Sequence, residues 1–148
     1  MWVDNIGGDF VLSPTMPRRG RVVLLSSGIG ITPHVAMLRA LLDDREALDR
    51  VVVVHVVRAA DRAVYGDVLA AVREAGARVE SVVSTEAASG LSELWLCGEL
   101  GVPWDEATHY FVSGAPGFVS TTVRAVRQAD PTTALRRWRV HTDAFTGY

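Results

Sequence analysis

Apolar residues occur along the chain in five short runs, each of a length suited to a β-strand. The most β-branched run, residues 51–57, contains six valines around a single histidine. Continuous rather than alternating apolar runs are typical of strands that are buried on both faces, as in parallel sheets. The sequence therefore predicts strands over residues 21–26, 51–57, 79–83 and 110–113, and a last short strand over 139–142.

Between these runs, the apolar residues take the three-to-four-residue spacing of amphipathic helices. Helices are predicted over residues 33–43, 64–74 and 118–128, and Gly76 stands where the second helix should stop. Strands that alternate with helices indicate a parallel sheet, and right-handed crossovers favour a doubly wound order. The predicted fold class is α/β, a doubly wound five-stranded parallel sheet with helices on both faces.

Two stretches do not follow this alternation. Residues 7–12 have strand character, and residues 13–20, which contain two prolines and a glycine, are typical of a linker. We therefore expect residues 1–20 to be the tail of a preceding unit, and residues 21–148 to be one domain. Residues 86–105 are irregular and are compatible with a short helix plus a loop over one edge of the sheet.

Composition excludes several classes of function. The chain has 148 residues and a net charge of −2, which gives no long-range attraction to nucleic acid or to anionic lipid. Cys97 is the only cysteine, so internal disulfides and thiolate metal sites are excluded, and the four histidines lie too far apart to predict a metal site. Without an apolar run of membrane-spanning length or a signal-peptide pattern, the expected location is cytoplasmic.

The strongest local signal is the segment SSGIGITP at residues 26–33, directly after the first strand. Gly28 and Gly30 allow a tight turn and a close approach of a ligand to the backbone. Thr32 is a favourable N-cap and Pro33 suits the first helical position. The amides and the dipole at that helix start would then face an anion such as a pyrophosphate.

The spacing of this segment also fits a simple compact turn between a strand and a helix. It differs from the dinucleotide fingerprint GxGxxG because Pro33 replaces the third glycine, and Arg58 stands where an acidic ribose-binding residue would follow the second strand. It is not a Walker loop either, since the GK[ST] sequence is absent.

Together with three further motifs, this segment resembles the nicotinamide domain of the ferredoxin–NADP reductase superfamily, which opens with a strand and GxGxxP. GDFVL at residues 8–12 is similar to the last strand of the family's flavin-binding barrel, SGAP at 113–116 resembles its CGxP motif, and DAFTGY at 143–148 resembles its aromatic ending. The resemblance implies that residues 1–20 are a remnant of the last barrel strand plus a linker, and that 21–148 are the nicotinamide-dinucleotide-binding domain. Most of the FAD-binding barrel would lie outside this chain.

The resemblance also implies roles for single residues. Ser113 stands where the family usually has a cysteine, close to the carbon that gives up the hydride. Tyr148 or Phe145 would stack near the flavin ring, or would serve as a buried C-terminal anchor. Arg58 would contact the phosphates or the adenosine side, unless it is only a surface arginine. The implied cofactor-binding residues are Ser27, Gly28, Gly30, Thr32, Pro33, Arg58, Ser84, Gly114, Ala115 and Pro116, and the implied catalytic residues are Ser113 and Tyr148.

The implied function is hydride transfer from NADH or NADPH to FAD, followed by electron delivery to an acceptor protein such as a ferredoxin or an oxygenase. In NADP-selective members a Ser-Arg pair follows the third strand. Here residues 84–86 read Ser-Thr-Glu, and a second basic position nearby is Glu93, so repulsion of a 2′-phosphate favours NADH. The alternative is a non-catalytic nucleotide-sensing or regulatory module, which Ser113 and the missing barrel favour. A hydrolase is disfavoured because the chain has no GxSxG elbow.

Overall fold

A computed structural model describes residue 17 and residues 20–58, 65–83, 90–104 and 107–145. Its centre is a five-stranded parallel sheet with the strand order β3-β2-β1-β4-β5. The strands are β1 (Val22–Ser27), β2 (Val51–Val57), β3 (Arg78–Val83), β4 (His109–Gly114) and β5 (Val140–Ala144).

Helices cover both faces of the sheet, and the predicted doubly wound α/β fold is confirmed. One face carries a 3₁₀ turn (Gly28–Gly30), α1 (Ile31–Leu41), α2 (Arg45–Leu48) and α3 (Gly66–Glu74). The other face carries α4 (Glu93–Trp95), a π-helix (Leu96–Leu100) and α5 (Pro116–Ala129). A short helix α6 (Thr132–Leu135) and a 3₁₀ turn (Arg137–Arg139) connect α5 to β5.

The apolar runs of the sequence are explained by two cores, one on each face of the sheet. Val22 and Leu24 of β1 enter the core under α1 and α3, whereas Val23 and Leu25 enter the core under α5. All of β1 and β2 is buried, so neither strand has a solvent-facing side that would require polar residues.

Element boundaries differ from the prediction by a few residues. Helix α5 begins at Pro116 rather than at 118, and β5 spans Val140–Ala144 rather than 139–142. The short helix expected within 86–105 is present as α4 and continues as the π-helix. The predicted strand at 7–12 and most of the linker at 13–20 lie outside the described residues.

A buried polar cluster fixes the start of β5. Nη1 of Arg139 donates to the Thr108 carbonyl at 2.7 Å and lies 3.7 Å from the Asp130 carboxylate, while Nη2 donates to Thr132. The Tyr110 hydroxyl donates to the same carboxylate at 2.8 Å. A buried guanidinium requires such partners, and they hold Arg139 in the 3₁₀ turn ahead of the strand.

None of the helices within the described ranges has both the length and the apolar character needed to cross a membrane.

Candidate functional site

The glycine segment lies at the topological switch point of the sheet. From β1 the chain continues to β2 on one side, and β4 pairs with β1 on the other side. In open α/β sheets, ligands bind in the crevice at the carboxyl ends of such strands. Ser27 ends β1 in an extended conformation, and Gly28 then turns the chain with a φ of +54°. Gly28 and Ile29 are exposed at this edge of the sheet.

The helical segment begins earlier than the sequence predicted. Thr32 is not the N-cap and Pro33 is not the first helical residue, because α1 starts at Ile31 and follows without a break from the 3₁₀ turn at Gly28–Gly30. The positive φ of Gly28 allows the chain to turn immediately after β1, and Pro33 is the third residue of α1, within the first turn, where helices tolerate proline. The amides available to an anion are therefore those of the 3₁₀ turn, not those around Pro33.

Two glycines permit close contact between protein segments rather than between the backbone and a ligand. A Cβ on Gly30 would lie 2.4 Å from the Ser113 carbonyl oxygen, and a Cβ on Gly114 would lie 2.6 Å from the Ser27 hydroxyl oxygen. The turn after β1 and the end of β4 are thus packed directly against each other. Gly28 and Ile29 remain exposed beside this contact.

A row of polar residues crosses the whole sheet just below this edge. The strand register aligns Ser81, His55, Ser26, Ser113 and Asp143, one from each strand. The middle three are buried, where a doubly covered parallel sheet normally has apolar residues. The row lies on the same face as α1 and α3, so it underlies the helical turn that begins at Gly28.

Ser113 and Asp143 form the end of this row that lies on β4 and β5. Ser113 is fully buried, and its hydroxyl oxygen has no hydrogen-bond partner within the described part of the chain. Burial raises the pKa of the Asp143 carboxyl. The sequence indicated Ser113 as a site residue but placed Asp143 only within the terminal motif, since its position opposite Ser113 depends on the pairing of β4 with β5.

His55 was not identified from the sequence as a site residue. Its Nε2 atom lies 3.0 Å from the carbonyl oxygen of Gly28, so it reaches the glycine turn from β2. Burial lowers the pKa of His55, and the bond to Gly28 opposes that shift in part. His34 of α1 is fully buried, and burial together with the charge of His55 lowers its pKa to about 3.

The other predicted site residues lie at the same edge of the sheet or outside the described residues. Arg58 is exposed directly after β2. Ala115 is the extended N-cap of α5 and Pro116 is its first residue, so a second helix start faces this edge from the opposite side of the sheet. The Phe145 amide donates to the Gly114 carbonyl at 2.8 Å. Ser84 and Tyr148 lie outside the described residues.

A separate surface groove of about 510 Å³ runs between α5 and β5. It includes neither the glycine turn nor Ser113, so it does not belong to the candidate site. Its lining residues are Val119, Ser120, Val123, Arg124, Arg127, Gln128 and Thr142.

The strand order and the glycine turn at the switch point define a doubly wound domain of the nucleotide-binding class. A family model described as the oxidoreductase NAD-binding domain matches residues 24–124, which is more than half of the chain. The chain belongs to this family, and the resemblance to ferredoxin–NADP reductases is confirmed. No curated protein sequence matches the chain significantly.

Solved structures of an FAD/NAD-binding domain and of two reductases share this fold. The FAD/NAD-binding domain of nitric oxide dioxygenase from Vibrio cholerae O1 biovar El Tor gives a TM-score of 0.66 at 20% identity, covering 93% of this chain and 55% of that one. Ferredoxin–NADP⁺ reductase from Plasmodium falciparum gives 0.66 at 12% identity, covering 91% and 55%. A cytochrome P450 reductase from Amycolatopsis gives 0.63 at 26% identity, covering 95% and 42%. The chain thus spans about half the length of these proteins.

Proposed function

We propose that this chain is the NAD(P)H-binding module of a flavin-dependent oxidoreductase and that it presents the nicotinamide to an FAD held by a second domain or subunit. The observation that carries this proposal is the helical turn at Gly28–Gly30, which starts at the switch point and is exposed at Gly28 and Ile29. Membership of the oxidoreductase NAD-binding domain family supports the same ligand class.

The residues present suit a dinucleotide. The amides of the first helical turn have no carbonyl one turn earlier to bond with, so they would hold the pyrophosphate, aided by the helix dipole. Arg58 follows β2 on the exposed edge and would contact the phosphates or the adenosine side. Ser27, Ala115 and Pro116 would line the space between the two helix starts.

The nicotinamide ring would be placed near Ser113 and Gly114. The Ser113 hydroxyl is buried without a partner in the described part of the chain. If the residues that bury it moved aside, a polar group of the ligand would form its hydrogen bond. Gly114, next to Ser113, lets the end of β4 pack closely against Ser27. When bound, the nicotinamide supplies a hydride and the flavin accepts it, while the protein contributes alignment and exclusion of water. Tyr148 would stack near the flavin.

The FAD and the electron acceptor are assigned by analogy with related proteins. Similar structures include an FAD/NAD-binding domain and a cytochrome P450 reductase. We propose that an FAD-binding barrel works with this chain and that residues 1–20 belong to its last strand and the linker. The final acceptor is an electron-transfer protein or an oxygenase.

NADH is the favoured dinucleotide. Glu93 is exposed at the first position of α4, and a carboxylate there would repel the 2′-phosphate that distinguishes NADPH. Residues 84–86, the other positions that this preference concerns, lie outside the described residues.

Calorimetric titration of the chain with NADH, NADPH and FAD tests this proposal. We expect binding of NADH, weaker binding of NADPH and little binding of FAD. A Glu93→Arg variant should narrow the difference in affinity between NADH and NADPH. A Glu46→Arg variant, at an exposed position on α2, makes the same change of charge and serves as the control. Absence of binding by both dinucleotides at millimolar concentration would refute the proposed function.

The second candidate is a nucleotide-sensing module without catalysis. The complete burial of Ser113 favours it, because a buried hydroxyl cannot meet the nicotinamide without a rearrangement. Addition of a flavin-binding domain separates the two candidates: NADH-dependent flavin reduction supports the oxidoreductase, and dinucleotide binding without flavin reduction supports the sensor.

A further inference from the structure

Gly28 contributes one peptide group whose orientation matters for anion binding. Its carbonyl and the amide of Ile29 belong to the same trans peptide, so the two groups point in opposite directions. The Gly28 carbonyl points inward, where it accepts from Ile31 within the turn and from Nε2 of His55. The Ile29 amide is therefore directed outward, toward the exposed edge of the sheet.

We propose that His55 is a positioning residue for dinucleotide binding, because it holds the Gly28–Ile29 peptide with its amide directed at the pyrophosphate. This inference rests on the proposed function and adds to it a residue on a different strand from the glycine turn.

Glycine makes such a support necessary. A peptide next to glycine reorients at little steric cost, and Gly28 already has a φ of +54°. Without His55, the carbonyl would lose its side-chain donor and would keep the 3₁₀ bond from Ile31, whose geometry is weaker than that of an α-helical bond. A reoriented peptide would present a carbonyl oxygen to the phosphates in place of an N–H.

His55 is suited to this task by its surroundings. It is 3% exposed and lies on β2 among six valines, so its backbone position is fixed by the strand. Because a carbonyl oxygen only accepts, Nε2 must carry the hydrogen. An apolar residue at this position would suit the strand better, so the histidine serves the turn above it rather than the sheet.

The test compares two substitutions of similar shape. His55→Gln retains an N–H donor near the position of Nε2, and His55→Met does not. We expect His55→Met to bind NADH roughly three- to tenfold more weakly, as for the loss of one hydrogen bond, and His55→Gln to remain within about twofold of the parent chain. Binding of AMP, which lacks the pyrophosphate bridge, should change little in either variant. His109→Met, which replaces a partly buried histidine at the amino end of β4, is the control and should not alter binding.

Equal NADH affinity in His55→Met and the parent chain would overturn the inference while leaving the proposed function intact. Equal weakening by Gln and Met would also overturn it. A parent chain that does not bind NADH would instead refute the proposed function and this inference with it.

A measurement on the parent chain makes the test independent of whether the variants fold. In ¹⁵N-resolved NMR spectra, NADH should move the Ile29 amide proton downfield, and His55 should show a protonated Nε2. An Ile29 amide that does not respond while neighbouring signals shift would contradict the proposed orientation.

Discussion

At the scale of single residues, a buried hydroxyl without a partner lowers stability, because its hydration is lost without replacement. Ser113 carries such a hydroxyl within the described part of the chain. Thr122 provides the opposite case, since its hydroxyl accepts the Leu91 amide at 3.1 Å. The two residues thus contrast a hydroxyl that serves the fold with a buried hydroxyl that has no partner in the described part of the chain.

Ser113→Ala should therefore leave the free energy of unfolding unchanged or raise it by up to about 1 kcal/mol, whereas flavin reduction by NADH with an added flavin domain should fall. Thr122→Val is the control and should cost about 1–3 kcal/mol, because it leaves the Leu91 amide unpaired. Urea unfolding of both variants measures these values. A loss of stability in Ser113→Ala as large as that in Thr122→Val would mean that the hydroxyl serves the fold.

At the scale of elements, the turn after β1 and the end of β4 are in direct backbone contact. A Cβ at Gly30 would lie 2.4 Å from the Ser113 carbonyl oxygen, which cannot move without disturbing the sheet. Gly66, the first residue of α3, has open space around it. The same substitution should therefore have opposite effects at these two glycines.

Gly30→Ala should lower the free energy of unfolding by about 1–3 kcal/mol, as overpacking does. Gly66→Ala should raise it by about 0.4–1 kcal/mol, because it restricts the unfolded chain without a clash. Thermal unfolding monitored by circular dichroism measures both effects. An unchanged free energy of unfolding in Gly30→Ala would show that the turn after β1 and the end of β4 are not in the close contact described.

The sequence predicted the elements well because their signals are local. The valine run of β2 reflects burial on both faces of the sheet, and the apolar periodicity of α5 reflects burial of one side of the helix. The start of the helical segment was predicted too late because Thr32 and Pro33 are strong local signals, while the contact of the Gly28 turn with His55 of β2 joins residues far apart in sequence.

The candidate site was predicted only in part. Ser113 and the glycine segment were identified through motifs, but His55 and Asp143 were not. Their place in the polar row depends on the strand register, which is set by the packing of the crossover helices against the sheet and cannot be read from either residue's neighbours in sequence. The predictions for Ser84 and Tyr148 remain predictions.

At the scale of the whole molecule, buried histidines couple folding to pH. The pKa of His34 is lowered to about 3 by burial and by His55, and the pKa of His109 is lowered to about 4 by burial, His141 and Arg139. In the unfolded chain both would titrate near 6.5. Below pH 6.5 the unfolded chain binds more protons than the native chain. The free energy of unfolding therefore has its full value above pH 6.5 and declines as the pH falls.

The free energy of unfolding should thus be constant above about pH 7 and should fall between pH 6.5 and 4, with His34 contributing on the order of 1 kcal/mol per pH unit. His109 should contribute less because it is only partly buried. Urea unfolding at a series of pH values measures the slope. His34→Leu should reduce the dependence of the free energy of unfolding on pH. Thr122→Val should lower this free energy equally at every pH and leave the slope unchanged.

The proposed site is assembled only in the complete fold, since it combines the turns that follow β1, β2 and β4, which are far apart in sequence. The unfolded chain therefore has no equivalent site, and NADH should stabilise the folded state by mass action. At a hundredfold excess over its dissociation constant, this amounts to about 2.7 kcal/mol, or a rise in Tm of roughly 5 to 10 °C for a domain of this size. AMP at the same concentration should give a smaller rise, because it cannot bridge the glycine turn and the region near Ser113. Scanning fluorimetry with both ligands measures the two shifts, and equal shifts would mean that only the adenosine side is recognised.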